Sequence, residues 1–488
     1  MYKMIHSIDR PTNNTLVYLT KVRPHKIIRD TQLKDPYVEQ SLTDLIGSDS
    51  MLHFKEYTRS YYTLEGHYCN LWLYDRPFYP QINDPLFDIA IQLTSEAFRL
   101  PNKVNSISWD ALNTVPFIGS SGAGWGYIGK KGDRDNHRLA ISRAVGHFRS
   151  WNEKQPSWRY TPDLAWTRTQ LGTFDRPKIR NVWGKAFHNI ILEGISAYPL
   201  IAAYQDWESS PMVVGIHLYK RLPNVIHNIL NMGDEPLIGV GIDFKGFDTT
   251  PQPWLIDLAF NILEENINFT DLEGKLAYDY SKEFFINTPV IMPDGRMWLK
   301  KLGVPSGSYF TQLIDSVINH IVITYIQLKV WKTHFPTKVL GDDSAFGIPY
   351  HYGWPDLDKI SRVASLLDFT VHPDKIVVAT RPDQMEFLGH VARGTRVDRD
   401  TAKMLRLALF PEYPVDSPEL SISRMKGLLV DSALNNWPIV NLLKYMEVKY
   451  QSTGGVKFSH DDRNWLEGVV RLNLTPNELN LVSAWTLT

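Results

Sequence analysis

Apolar positions along the chain follow two periods, and the switch between them marks out its elements. Phe310, Leu313, Ile314, Val317, Ile318, Ile321, Val322 and Tyr325 are spaced by alternating steps of three and one, the stripe of a core-packed helix. Ser308, Thr311, Asp315 and Asn319 recur at three or four residues, so they share one polar face of that helix. A solvated face has the same spacing, but it usually carries Lys or Glu, and here neither occurs before Lys329. Shorter apolar runs read as strands. One is Leu237 to Ile242; others flank Gly341-Asp342-Asp343-Ser344, which is turn chemistry, so this stretch predicts a hairpin with acids at its tip. Val290 to Lys300 reads as a second hairpin. Helices are predicted over 84–100, 251–266, 356–367, 422–434 and 439–450, and a turn entering a strand over 371–378. No long helix stands out before residue 84.

Composition bounds the class. The chain has 488 residues, 43% hydrophobic and 22% charged, enough for two to four subdomains. A lone cysteine, Cys69, excludes an intrachain disulfide and fits a reducing compartment. No uncharged apolar run is long enough to span a bilayer, and the first ten residues lack a signal-peptide core. The expectation is a protein that is not secreted and has no membrane partner. A net charge of −1 is awkward for a nucleic-acid binder, but positive charge is concentrated. Between Lys130 and Lys185 thirteen basic residues, among them Lys130, Lys131, Arg168 and Lys185, face five acidic ones, with Trp and Tyr interleaved. Such a stretch is read as an RNA-binding surface, against the alternative of a solvated basic face.

The acids carry the candidate chemistry. Asp342 and Asp343 repel each other, and an apolar hairpin is a costly place for both unless a cation lies beside them; a solvated Asp-rich turn is the competing reading. Asp243 ends the Leu237 run, with Asp248 five residues later. If the two strands pair, three carboxylates converge. Mg²⁺ takes oxygen ligands, commonly one or two carboxylates plus substrate phosphates. Two ions roughly 3.5–4 Å apart would clamp the attacking and leaving oxygens of a phosphoryl transfer.

In chain order, Asp243-x4-Asp248, Ser306-Gly307-x3-Thr311-x7-Asn319 and Gly341-Asp342-Asp343 resemble motifs A, B and C of viral RNA-dependent RNA polymerases. The wording around them is most similar to the polymerases of small bisegmented double-stranded RNA viruses, the partitivirus and picobirnavirus group, partitivirus-like in particular. The resemblance implies an α+β right hand with an antiparallel palm sheet and a largely helical thumb, closed by N-terminal fingertips. Residues 1–100 would bridge fingers and thumb, 101–230 and 259–301 form fingers, 231–258 and 302–398 palm, and 399–488 thumb.

It also implies RNA-templated RNA synthesis by two-metal nucleotidyl transfer. Asp243, Asp342 and Asp343 would hold two Mg²⁺ ions, or Mn²⁺. Asp248 and Asn319 would select the ribose 2′-hydroxyl, Ser306 and Gly307 form a loop under the nascent pair, and Thr311 orient Asn319 or the sugar. Lys375 matches the motif D lysine that protonates pyrophosphate. Lys178 and Arg180 alternate with Ile179 and so share a strand face able to neutralise a triphosphate; this stretch resembles motif F. Gly124-x-Gly126-x-x-Gly129 fits a dinucleotide fingerprint without the acid about twenty residues on, and Lys131 stands where a P-loop needs Ser or Thr. That segment instead resembles motif G, a template-hugging loop. The implied partners are single-stranded RNA template, double-stranded RNA product, ribonucleoside triphosphates and a viral capsid protein, in a virion interior or host cytoplasm. A reverse transcriptase is disfavoured, because an aromatic gate is usual where Asp248 stands. A non-enzymatic RNA-binding or capsid protein would leave the ordered acids unexplained.

Overall fold

The computed structural model describes residues 12–25, 33–59, 63–133, 135–155, 160–175, 179–216, 221–233, 235–433 and 436–451. Among the described residues a five-stranded antiparallel sheet underlies the acids, four of its strands in the order Thr337–Leu340, Asp343–Pro349, Glu235–Ile242, Val377–Ala379, with the short Asn231–Met232 also paired to Glu235–Ile242. The middle pair sets Ser344 opposite Ile242. Asp243, one residue beyond its strand, therefore comes level with Asp343. Leu340 faces Asp343 across a two-residue turn of Gly341 and Asp342. Gly341 takes φ of 60°, the left-handed conformation that such a turn asks of its first central residue. The turn is tighter than the sequence suggested, since Asp343 and Ser344 already lie in the strand.

Behind this sheet runs the helix Thr311–Trp331. Its apolar stripe joins Val240, Ile242, Phe346 and Ile348 of the sheet in one core, where each large aliphatic side chain contributes about 1.5–3 kcal/mol. Its length and hydropathy would also suit a membrane span, but it is buried within the protein. From Asp315 to Gln327 the polar positions are buried too, and some do structural jobs. Gln327 donates to Thr337 Oγ1 and accepts from Phe335 N–H, both at 2.9 Å, which steers the chain back into the hairpin. Ser316 Oγ accepts from Gly341 N–H at 2.9 Å.

A second five-stranded sheet runs in the order Leu16–Lys21, Arg296–Lys300, Thr288–Ile291, Asp163–Thr169, Ile179–Gly184. Its Thr288–Ile291 and Arg296–Lys300 strands are the second hairpin read from the sequence. The C-terminal helices Thr401–Leu409, Pro418–Asp431 and Trp437–Lys449 form a separate cluster. There the helix Pro36–Ser50 packs Val38 and Leu42 among Met404, Leu409, Met425 and Leu443. Asp35 caps that helix and, fully buried, binds Ser421 Oγ at 2.8 Å and the Arg424 guanidinium. Sequence reading missed this helix because only Val38, Ser41 and Leu42 are buried on it, too few to print a stripe. The boundary drawn between residues 258 and 259 falls inside the helix Pro253–Glu264. Leu255 and Leu263, on either side of it, pack in the core beneath the sheet that carries the acids.

Candidate active site

The hairpin tip gathers acids from three stretches of sequence. Burial pushes the Asp343 carboxyl up to about 7, reinforced by the charges of Asp342, Asp243 and Glu386. Asp342 is raised by burial and by Asp248, while Arg180 opposes the shift. Asp243 is exposed and stands 3.8 Å from Lys375 Nζ. Asp243, Asp343 and Lys375 line a cavity of about 410 Å³ together with Glu386, Gly389 and Lys403. Among the described residues no three His, Cys, Asp or Glu side chains are already gathered into an ion cage. The all-oxygen donor set and the mutual repulsion nevertheless fit a hard divalent ion, with substrate phosphates completing its shell.

The loop before the long helix meets these acids. Asp248 accepts a hydrogen bond from Ser306 Oγ, and Val304 N–H donates to Asp248 O at 2.7 Å. Gly303 has φ of 76°, and a Cβ there would lie 2.6 Å from the Asp248 carbonyl oxygen. Gly307 sits on the Trp183 backbone with φ of 140°, where a side chain would collide with the Trp183 carbonyl. Thr311 Oγ1 closes the loop, accepting from Gly307 N–H at 3.3 Å and donating to Pro305 O at 3.1 Å.

Asn319 packs against the acidic turn, and its Oδ1 has no hydrogen-bond partner among the described residues. It is fully buried, and its Nδ2 donates to Gly341 O at 2.9 Å and Asp343 O at 3.1 Å. It braces the acidic turn from behind. Asp315, one turn earlier on the same face, is the residue in electrostatic reach of both Asp248 and Asp342. Burial and those two charges hold its carboxyl well above the usual range, and its Oδ1 has no hydrogen-bond partner among the described residues. The signal was present, since Asp315 belongs to the polar stripe at 308–319. Lys403, which also lines the cavity, had no sequence signal.

The expected cations separate into three environments. Arg168 and Arg180 pair directly across antiparallel strands and are both exposed. Like charges opposite one another destabilise a sheet, a cost that an anion bound between them removes. Lys178 lies outside the described residues. Lys130 is exposed, whereas Lys131 is half-buried and donates to Ser121 Oγ at 2.7 Å. Lys185 is not available to RNA: its side chain is fully buried, 3.4 Å from Asp163 Oδ2 and 3.2 Å from Glu193 Oε1. In the sequence it looked like part of a basic surface because its partners lie on other elements.

Residues 51–447 match the family model described as viral RNA-dependent RNA polymerase. The chain belongs to that family. It is 39% identical over 106 residues to the RNA-directed RNA polymerase of Cryptosporidium parvum virus 1 (strain KSU-1), covering 21% of this chain and 20% of that one. It is 27% identical over 183 residues to that of White clover cryptic virus 1 (isolate Boccardo/2004), covering 36% and 30%. The matched stretches thus span less than a third of either relative. In structure it is similar to the RNA-dependent RNA polymerase of a human picobirnavirus, with a TM-score of 0.68 at 14% identity over 93% of this chain and 90% of that one. An insertion-loop deletion mutant of that polymerase gives the same TM-score over 91% and 93%. The fold is therefore the right hand of this polymerase family, as the motifs implied.

Proposed function

We propose that this chain carries out RNA-templated RNA synthesis from ribonucleoside triphosphates by two-metal nucleotidyl transfer, replicating and transcribing a double-stranded RNA genome. The observation that carries the reading is the strand register that sets Asp243 level with Asp343, beside Asp342 in the turn. Asp243 and Asp342 would hold two Mg²⁺ ions, with Asp343 as a further ligand and Mn²⁺ as a substitute; bound there, they would activate a 3′-hydroxyl and neutralise charge on pyrophosphate.

The chain's own groups supply position. Arg180, with Arg168 across the strand pair, clamps the triphosphate, since a guanidinium fork suits phosphate oxygens. Lys375, next to Asp243, protonates the departing pyrophosphate. Asp248, held by Ser306 and neighboured by Asp315, reads the ribose 2′-hydroxyl, by which ribose is told from deoxyribose. Ser306, Gly307 and Thr311 shape the floor beneath the nascent pair, and Asn319 fixes the turn. Lys130 and Lys131 guide the template strand. The base sequence comes from pairing with that template, the product is double-stranded RNA, and the working partner is a capsid protein within a virion or the host cytoplasm.

Purified chain given single-stranded RNA, ribonucleotides and Mg²⁺ should extend product with time. Asp342→Ala should lower incorporation on the order of 10³-fold at unchanged thermal stability. A variant that retains incorporation would remove Asp342 from the chemistry.

A further inference from the structure

The loop from Gly303 to Tyr309 is held from beneath by buried charges that the chemistry above does not use. Lys300, fully buried, donates to the carbonyls of Phe285 (2.8 Å), Ile286 (3.0 Å) and Gly303 (2.6 Å). Trp183 N–H donates to Ser306 O at 2.8 Å. At the far end of the loop Tyr309 N–H donates to Glu193 Oε2 at 2.9 Å. Glu193 lies within the helix Phe187–Asp206 and is 1% exposed. Its Oε1 is 3.2 Å from Lys185 Nζ, which also reaches Asp163 at 3.4 Å and stands 4.2 Å over the Phe284 ring.

Burying such a pair costs desolvation that attraction repays only in good geometry, and packed apolar groups often stabilise as well. What the charges add is direction. A carboxylate accepting from an amide makes a strong hydrogen bond, and Lys185 fixes which way that carboxylate points. Released at the Tyr309 amide, the loop is still tied by Trp183 N–H to Ser306 O and by the Tyr309 hydroxyl to Pro116 O, but its far end is looser over Trp183, and Ser306 rides on it. We propose that Glu193 is a positioning residue for nucleotide selection: by holding the Tyr309 amide it keeps the Ser306 hydroxyl against Asp248. The inference rests on the polymerase reading above.

Glu193→Gln and Glu193→Met test it in the full chain. Both remove the charge beside Lys185, so any folding penalty is shared, but only Gln keeps an acceptor for the Tyr309 amide. Single-nucleotide incorporation is measured with ribo- and deoxynucleotides. The Met variant is expected to raise the KM for ribonucleotide about tenfold over the Gln variant, and to narrow the ribo-over-deoxy preference by a similar factor. A merely structural role lowers apparent kcat by loss of folded enzyme and leaves KM and the preference alone. Amide exchange across 303–312, read without substrate, should be faster in the Met variant. If neither uncharged variant folds, Glu193→Asp keeps the charge, falls one methylene short of Tyr309, and is expected to raise KM and narrow the preference in the same way. Equal KM, preference and exchange in the Met and Gln variants, or wild-type values in Glu193→Asp, would overturn the proposal. An inactive wild type would instead sink the polymerase reading; an active one with matching variants sinks this inference alone.

Discussion

The acids at the hairpin tip and the acids beneath the loop are built in opposite ways. Around Asp342 and Asp343 the charges that matter are mostly other carboxylates: Asp248, Asp243 and Glu386. The cleft is half-open, and its repulsion is left standing. Around Asp163 and Glu193 the charges that matter are mostly cations, with Lys185 against both, Lys300 in reach of Asp163 and Lys131 in reach of Glu193, and Lys185 and its two partners are sealed from water. Like charges kept together where solvent and substrate enter mark a place for a cation brought from outside. Opposite charges closed into the core mark scaffold, and their worth lies in orientation more than stability.

Breaking the sealed group should give the largest effect on the fold. Lys185→Met removes the cation that two buried carboxylates share and is expected to cost about 3–5 kcal/mol, read as a fall in the urea midpoint. Were Lys185 an RNA contact, the substitution would instead flatten the salt dependence of RNA affinity by roughly 0.7 in slope and spare the midpoint. At the open cleft, Arg180→Ala should scarcely change stability, because Arg180 stands exposed opposite Arg168. It should raise the KM for ribonucleotides by about 10–100-fold, as for a lost charge-assisted hydrogen bond of roughly 1.5–3 kcal/mol. An unchanged KM would take Arg180 out of the triphosphate site.

The smallest expected effect is on pH dependence. Burial, with the charges of Asp342, Asp243 and Glu386, raises the folded-state pKa of Asp343 to about 7 from the ordinary aspartate value of 3.8. Between those values the folded state binds more protons than the unfolded state, so stability falls as pH rises through this window. Metal-free wild type should therefore lose melting temperature from pH 5 to pH 7.5 relative to Asp343→Asn, and Mg²⁺ should restore more of it at pH 8 than at pH 6. Parallel curves for the two proteins would mean that the carboxyl is not strained.

The same contrast explains what the sequence could tell. The strand ending at Asp243, the hairpin at Asp342 and the stripe from Phe310 to Tyr325 were legible because each is specified by neighbours within a few residues. Lys185 was not. Its burial is decided by Glu193 on a helix and Asp163 on another strand, and no local pattern separates it from an exposed lysine such as Lys130. Asn319 and Asp315 were legible as a face but not in their roles: they lie one helical turn apart, and only packing against the hairpin decides which braces the turn and which meets the acids. The helix Pro36–Ser50 was missed for a related reason, its partners being the helices after residue 400.

The central claim is that carboxylates about a hundred residues apart in sequence work as one site. It is tested most directly by labelled-nucleotide incorporation on a defined single-stranded RNA with wild type and Asp243→Asn side by side. The expected result is a loss on the order of 10³-fold with the melting temperature retained. Incorporation by Asp243→Asn within a few-fold of wild type would contradict it.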